Sequence, residues 1–341
     1  MVKRQQLIFT GLIFFLLTGI VLSIMYGPVN LTIVEVFNAL FFSEDTNNVN
    51  SKIIWQLRFP RTFAALLAGA SLSVSGLLMQ TFFRNPIAGP DVLGVSSGAG
   101  LGAALWIMGA AGFVSAGVIN IPEYFNYWGL VSAACLGALL ILLLILMISG
   151  FMSDINSLLI VGMMLASVGS ALVMLLQFFS GREELQQFIL WGMGDLGGIS
   201  WSELWILMPI TFVAILVSYL LAKSLNVMLL GETAALSLGV SVKRLKWQII
   251  TLTAVLAGSI TAFCGPLAFV GVAVPHLSRM LFQSNRHQVL ILGASLLGMT
   301  ILVYCQLLSQ IILTDKILPI NIITSILGAP AVLWIILKMR R

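Results

Sequence analysis

Charge is what this chain lacks most. Of its 341 residues only 9% are Asp, Glu, Lys or Arg, where a soluble globular chain carries about 25%. Too few polar side chains are present to wet the surface of a cytosolic enzyme, and a hydrophobic content of 60% excludes a disordered chain. Cysteine is scarce as well. Cys135, Cys264 and Cys305 each sit inside an apolar run, with neither ligand spacing nor a paired framework. They read as small packing residues, and a secreted disulfide scaffold is excluded. The two histidines, His276 and His287, have no carboxylate near them in sequence, so no zinc or di-metal site is expected. No lysine follows a glycine, so the GxxxxGK(S/T) phosphate loop is absent and the chain is not itself a nucleotidase of that class. No Ser/His/Asp order or nucleophile elbow occurs. Catalytic, cofactor and metal residues are therefore not expected, nor is a nucleic-acid partner.

What the chain has in abundance is long apolar runs, and its mean hydropathy is +1.08. About 20 apolar residues cross a bilayer as a helix. Ten such spans are predicted: Leu7–Met25, Thr62–Phe82, Val92–Ala110, Tyr127–Ile148, Ile155–Phe179, Leu204–Leu221, Trp247–Phe263, Leu267–Leu281, Val289–Leu313 and Ile320–Leu337. The first is too long for a cleaved signal peptide and ends at Met25-Tyr26-Gly27-Pro28, so it reads as a retained helix. The eighth is short and interrupted by Gly271 and Pro275, and reads as partly spanning. The fold expected is all-α and polytopic, a single transmembrane domain over residues 1–341 with no room for a soluble one.

Placing both termini in the cytoplasm puts 12 of the 17 basic residues inside and nine of the 12 acidic residues outside, as the positive-inside rule requires. Lys52, Arg58, Arg61, Arg182 and Lys316 are the basic residues left outside. The longest internal connection, Lys223–Lys246, is mostly too polar to span. Its Leu229, Leu230, Ala234, Ala235, Leu236 and Leu238 recur at helical spacing between Gly231 and Gly239, which predicts one or two short helices at the membrane face. Apolar side chains facing water there point to a protein partner as readily as to a closed loop. Leu67-Ala68-Gly69 followed by Gly76 recurs as Leu256-Ala257-Gly258 followed by Gly265. Five helices separate the two, so they cross in opposite directions, the pattern of an inverted internal repeat.

The spans carry Ser, Thr, Asn and Gln but essentially no mid-membrane carboxylate. An ion-coupled carrier usually keeps one there, so a transporter of this composition draws its energy from another subunit. A self-sufficient ion-coupled secondary carrier is the alternative class, and an integral membrane enzyme lacks a constellation to act with. Ser71, Ser73, Ser75 and Gly76 line the second span, and Gly94-Val95-Ser96-Ser97-Gly98 opens the third. Gly162, Ala166 and Ser170 recur every four residues in the fifth, a stripe that serves packing within the subunit as well as a pore or dimer face. Pro330 within Gly328-Ala329-Pro330 kinks the last span.

Four segments carry a family resemblance. LRFPRTFAALLAGASLSVSGLLMQTFFRNPIAGPDVLGVSSGAG (Leu57–Gly100), LLGETAALSLGV (Leu229–Val240), GPLAFVGVAVPHLSRML (Gly265–Leu281) and LGAP (Leu327–Pro330) resemble, in order and spacing, the iron-chelate and vitamin B12 uptake permeases, the membrane subunits of type II ABC importers. The resemblance implies two permease copies in a bacterial cytoplasmic membrane, with a homodimer favoured over pairing with a paralogue. It also implies two ABC ATPase subunits below and an extracytoplasmic substrate-binding protein above. Gly231, Glu232, Leu238 and Gly239 would then enter the ATPase cleft as the coupling segment. Arg58 and Arg61 would dock the binding protein. A further arginine found in some relatives at the outer end of the ninth span is Gln310 here, leaving Lys316 to substitute for it. The pathway would run along the fifth and tenth spans, including Gly162, Ser167 and Ser170, while His276 and Arg279 take structural roles. The cargo class implied is iron-siderophore, haem or cobalamin, with specificity residing in the binding protein.

Overall fold

The computed structural model describes residues 2–41, 49–109, 123–151, 155–313 and 317–339. Among these the chain is helical throughout and forms no strand. In order the helices are α1 (Val2–Met25), α2 (Ile33–Phe41), α3 (Val49–Lys52), α4 (Phe59–Phe82), α5 (Val95–Ala104), α6 (Glu123–Phe151), α7 (Ile155–Phe179), α8 (Arg182–Gly192), α9 (Trp201–Leu220), α10 (Ala222–Met228), α11 (Glu232–Ser237), α12 (Val242–Cys264), α13 (Val270–Phe282), α14 (His287–Ile311) and α15 (Ile320–Met339). A π-helical stretch, Ile53–Arg58, runs into α4. Seven helices in the described residues are long and apolar enough to cross a membrane, and three shorter apolar helices join them, Val95–Gly109, Val270–Phe282 and Ile320–Trp334. Each of the ten coincides with a predicted span.

The centre is built from small residues. Ala64, Ala65, Ala68, Gly69, Ala70, Ser71, Ser73, Ser75 and Gly76 of α4 are all buried, because side chains this small let neighbouring backbones come close where no hydrophobic effect drives helices together. A methyl group at Gly69 would strike the Gly298 carbonyl of α14, and one at Gly76 would strike the Gly271 carbonyl of α13. Pro275 has no N–H to offer the Gly271 carbonyl four residues back, and Gly76 is the residue that packs over that group. Gly98 and Gly137 bring α5 onto α6 in the same manner.

The packing has an internal symmetry. Helix α4 packs on α14 and α13, as α12 packs on α6 and α5; α5 packs on α6 and α7, as α13 packs on α14 and α15; α4 meets α12, and α9 lies against both. Exchanging α4–α7 with α12–α15 therefore maps this neighbour pattern onto itself. This is what the repeated Leu-Ala-Gly…Gly segments, one within α4 and one running off the end of α12, predict.

Helix α13 has 13 residues, about 20 Å of helix against a hydrocarbon core of about 30 Å. Asn321 of α15 binds two backbone groups of the non-helical chain before it, Gly265–Phe269. The Ala268 N–H donates to Asn321 Oδ1 at 3.0 Å and Asn321 Nδ2 donates to the Pro266 carbonyl at 2.6 Å. Irregular backbone at this depth persists where protein satisfies it.

Candidate functional site

The helix ends sort into two faces. One gathers the start of α1, the Phe83–Pro90 connection, the end of α13 and the start of α14 with α10 and α11; Arg4 donates to Gln283 Oε1 across it. The opposite face gathers the end of α1, α2, the start of α4, α8 and the start of α9; Trp201 donates to the Trp55 carbonyl at 2.6 Å there. Among the described residues, the first face carries Lys3, Arg4, Arg84, Lys223, Lys243, Arg244, Lys246, Arg279 and Arg286, all assigned above to the cytoplasm.

On the basic face, the stretch predicted to hold one or two short helices holds two. Helix α10 is anchored by Ala222, Leu225 and Met228, all buried, and α11 by Ala235, fully buried. Between and beyond these anchors the leucines turn outward: Leu230 is 69% and Leu238 62% exposed, with Leu229 and Leu236 also in the open. Two glycines shape the knob. Gly231 has φ +116° and Gly239 φ +80°, both in the region that favours glycine. Gly239 closes α11, its N–H donating to the Leu236 carbonyl and the Val240 N–H to the Ala235 carbonyl, a Schellman ending. Nothing lies within 4 Å of a methyl built on either glycine, so they are there for backbone conformation and not for close packing. Glu232 opens α11 near the Lys246 ammonium.

On the opposite face the two arginines part company. Arg58 is only 4% exposed. Its guanidinium donates to the carbonyls of Ile24 (2.6 Å), Met25 (2.8 Å) and Val29 (2.6 Å), satisfying carbonyls at the end of α1 that have no helical partner. The side chain thereby clamps α1 to α4 on the face where docking is expected. Arg61, half-buried, lies over Gly197 beside the Asp195 carboxylate. Lys316 lies outside the described residues. Gln310 is buried one turn along α14 from Gln306, which accepts from Ser23 at 2.7 Å; Ser23 also pairs with Thr62 at 2.8 Å. Glu203, buried, is the N3 residue of a capping box with Ser200 at the start of α9.

Along α7 the small-residue stripe divides. Gly162 is buried against the Val92 carbonyl, and Gly169 faces Ser97. That face packs on α5 and its preceding turn, with Gly162 against the turn. Ser167 and Ser170 lie on the exposed face with Met163, Met164, Met174 and Phe178. A second opening lies between α13, α14 and α15, an apolar cavity of about 210 Å³ lined by Val270, Val274, Cys305 and Leu327 among others. Among the described residues no group of three His, Cys, Asp or Glu side chains could hold a metal.

The polar cluster at the end of α4 is not visible in the sequence. Gln80 donates to the Val272 carbonyl at 2.9 Å and accepts from Arg279, in keeping with a structural Arg279. Thr81 meets His287 of α14. These partners lie about 200 residues apart, and no spacing or periodicity links them.

Comparison with known proteins agrees with this geometry. Residues 15–338 match the FecCD transport family. The vitamin B12 import system permease protein BtuC of Escherichia coli O9:H4 (strain HS) is 33% identical over 288 residues, 84% of each chain, and that of Salmonella typhi is 34% identical over the same length. Among solved structures, an inward-facing metal-chelate-type ABC transporter superposes with a TM-score of 0.84 at 30% identity, covering 98% of this chain and 99% of that one. PsaBC from Streptococcus pneumoniae, at 14% identity and a TM-score of 0.53, shares the fold.

Proposed function

Since the chain belongs to the FecCD transport family, we propose that it is the membrane-spanning permease of an ATP-driven importer for cobalamin or a metal chelate such as a ferric siderophore or haem. It works as a homodimer in the bacterial cytoplasmic membrane, with both termini inside. Two ATPase subunits dock on the basic face and a substrate-binding protein on the opposite one. The observation that carries this reading is the leucine knob of α10 and α11. It sets exposed apolar side chains on a water-facing surface of a chain that has no phosphate loop of its own. An amphipathic short helix of this kind fits a groove on a partner, with Gly231 and Gly239 holding its shape and Glu232 and Leu238 meeting the partner.

On the outer face Arg61 and Lys316 steer the binding protein. Charges at a rim set encounter rate and register more than affinity, so replacing the relatives' arginine by Gln310 leaves docking possible. The pathway runs along the exposed face of α7, past Ser167 and Ser170. Weakly polar, small or flexible side chains let a bulky, already chelated cargo slide without a tight site.

Co-expression with the ATPase tests the reading. The two proteins are expected to purify together in equal numbers, with a mass that fits two copies of each. A permease that purifies as a monomer with no ATPase bound would contradict it.

A further inference from the structure

The knob has to be attached to something that moves the pathway, and the structure contains a polar connection suited to that task. Asn226 lies on α10, two residues before its end. Its Oδ1 accepts from the backbone N–H of His287 at 2.8 Å and lies 2.8 Å from His287 Nδ1, while its Nδ2 donates to Gln288 Oε1 at 2.9 Å. The amide orientation is thereby set, with the oxygen toward His287. His287 is the first residue of α14, and the preceding Arg286 supplies no side-chain cap. Asn226 thus caps α14 from another helix, satisfying a first-turn N–H that α14 leaves without a partner.

With an acceptor opposite Nδ1, that nitrogen carries the imidazole proton, and Nε2 is left to accept. Facing it at 2.8 Å is the Thr81 hydroxyl on the last turn of α4, whose one proton is divided between Nε2 and the Leu77 carbonyl of its own helix, also at 2.8 Å. Thr81 and His287 are buried, at 2% and 1% exposure, so water does not compete for these bonds. Next to Thr81, Gln80 holds α13. The last turn of α4 therefore ties α13 directly, and α14 and α10 through the imidazole. Helix α4 is in turn the helix against which α12, α13, α14 and α9 pack.

We infer that Asn226, His287 and Thr81 are positioning residues of the power stroke: a hydrogen-bonded link that passes displacement of the α10–α11 knob to α14 and α4. The inference rests on the importer reading above. Directional hydrogen bonds hold such a link in one register, whereas the apolar contacts of Leu225 and Met228 carry no direction. Breaking the link should leave the knob in its partner and ATP turning over, but should disconnect turnover from movement of cargo.

The test uses the permease reconstituted in proteoliposomes with its ATPase and binding protein, measuring ATP hydrolysed and accumulation of radiolabelled cobalamin, ferric siderophore or haem. In Thr81→Val, which keeps the side-chain shape, and in Asn226→Ala, hydrolysis should stay within about twofold of wild type while uptake per ATP falls about tenfold, the effect of removing one buried hydrogen bond. Thr81→Ser and Asn226→Asp keep the hydroxyl and the acceptor oxygen, and should restore coupling. Rescue separates positioning from bulk packing. Should Asn226→Ala not assemble, Thr81→Val decides alone. Wild-type uptake per ATP in Thr81→Val, or a loss shared equally by Thr81→Ser, overturns the link and leaves the importer reading standing. A wild-type complex that hydrolyses no ATP overturns both.

Discussion

Arg58 shows how little a residue's charge says about its role until its neighbours are known. In sequence it is one of two arginines flanking Phe59-Pro60 and looks like its companion Arg61. In the structure its guanidinium binds the last two carbonyls of α1 and that of Val29 in the chain beyond. A planar fork of donors suits that task and an ammonium does not. Arg58→Ala should therefore destabilise the fold by about 2–4 kcal/mol, leaving buried carbonyls without donors. The measurement is a lower thermal midpoint in detergent, with Arg58→Lys recovering only part of the loss. Arg61→Gln should weaken binding-protein docking, most at low ionic strength where charges are least screened. Gly162 carries the same lesson. Its four-residue spacing to Ala166 and Ser170 was legible, but which face packs inward depends on α5, which no local pattern reports.

At the scale of elements the sequence was most informative where hydrophobicity alone decides. The ten spans are apolar runs, and apolar runs of that length become helices because a bilayer leaves backbone groups no other partner. The short eighth span is legible too, since Gly271 and Pro275 announce a short α13. What stayed hidden was the polar hub joining Thr81, Asn226 and His287, because hydrogen bonds between distant segments leave no periodicity. Helix α2 was also missed, being only nine residues long. Its Thr32 N–H and hydroxyl both donate to Glu35, which holds the Glu35 carboxyl below the usual range. A depressed folded-state pKa adds stability above the unfolded value and loses it as pH falls through the folded one. Amides at the start of α2 should thus lose hydrogen-exchange protection on acidification, and in Glu35→Gln that loss should be absent. For the knob, Gly239→Ala should cost about 1 kcal/mol by forcing a side chain into positive φ, read as weaker ATPase binding. Glu232→Arg with Leu238→Asp should leave the membrane helices folded and separate ATP hydrolysis from uptake.

For the molecule as a whole, symmetry and asymmetry divide the work. The two sets of four helices share one packing scheme around α4 and α12, which accounts for a fold built from an inverted repeat. The knob belongs to neither set: α10 and α11 lie in the connection between them, at the basic face. In the importer reading, force enters at that connection and is passed to both halves through the helices packed around α4. In that reading this chain has no engine of its own. The most direct measurement is uptake of radiolabelled cobalamin, ferric siderophore or haem into vesicles containing this protein alone, across an imposed proton or sodium gradient, beside vesicles that also hold the ATPase and binding protein with ATP. No accumulation is expected in the first and ATP-dependent accumulation in the second. Accumulation against a concentration gradient by the chain alone would contradict that reading.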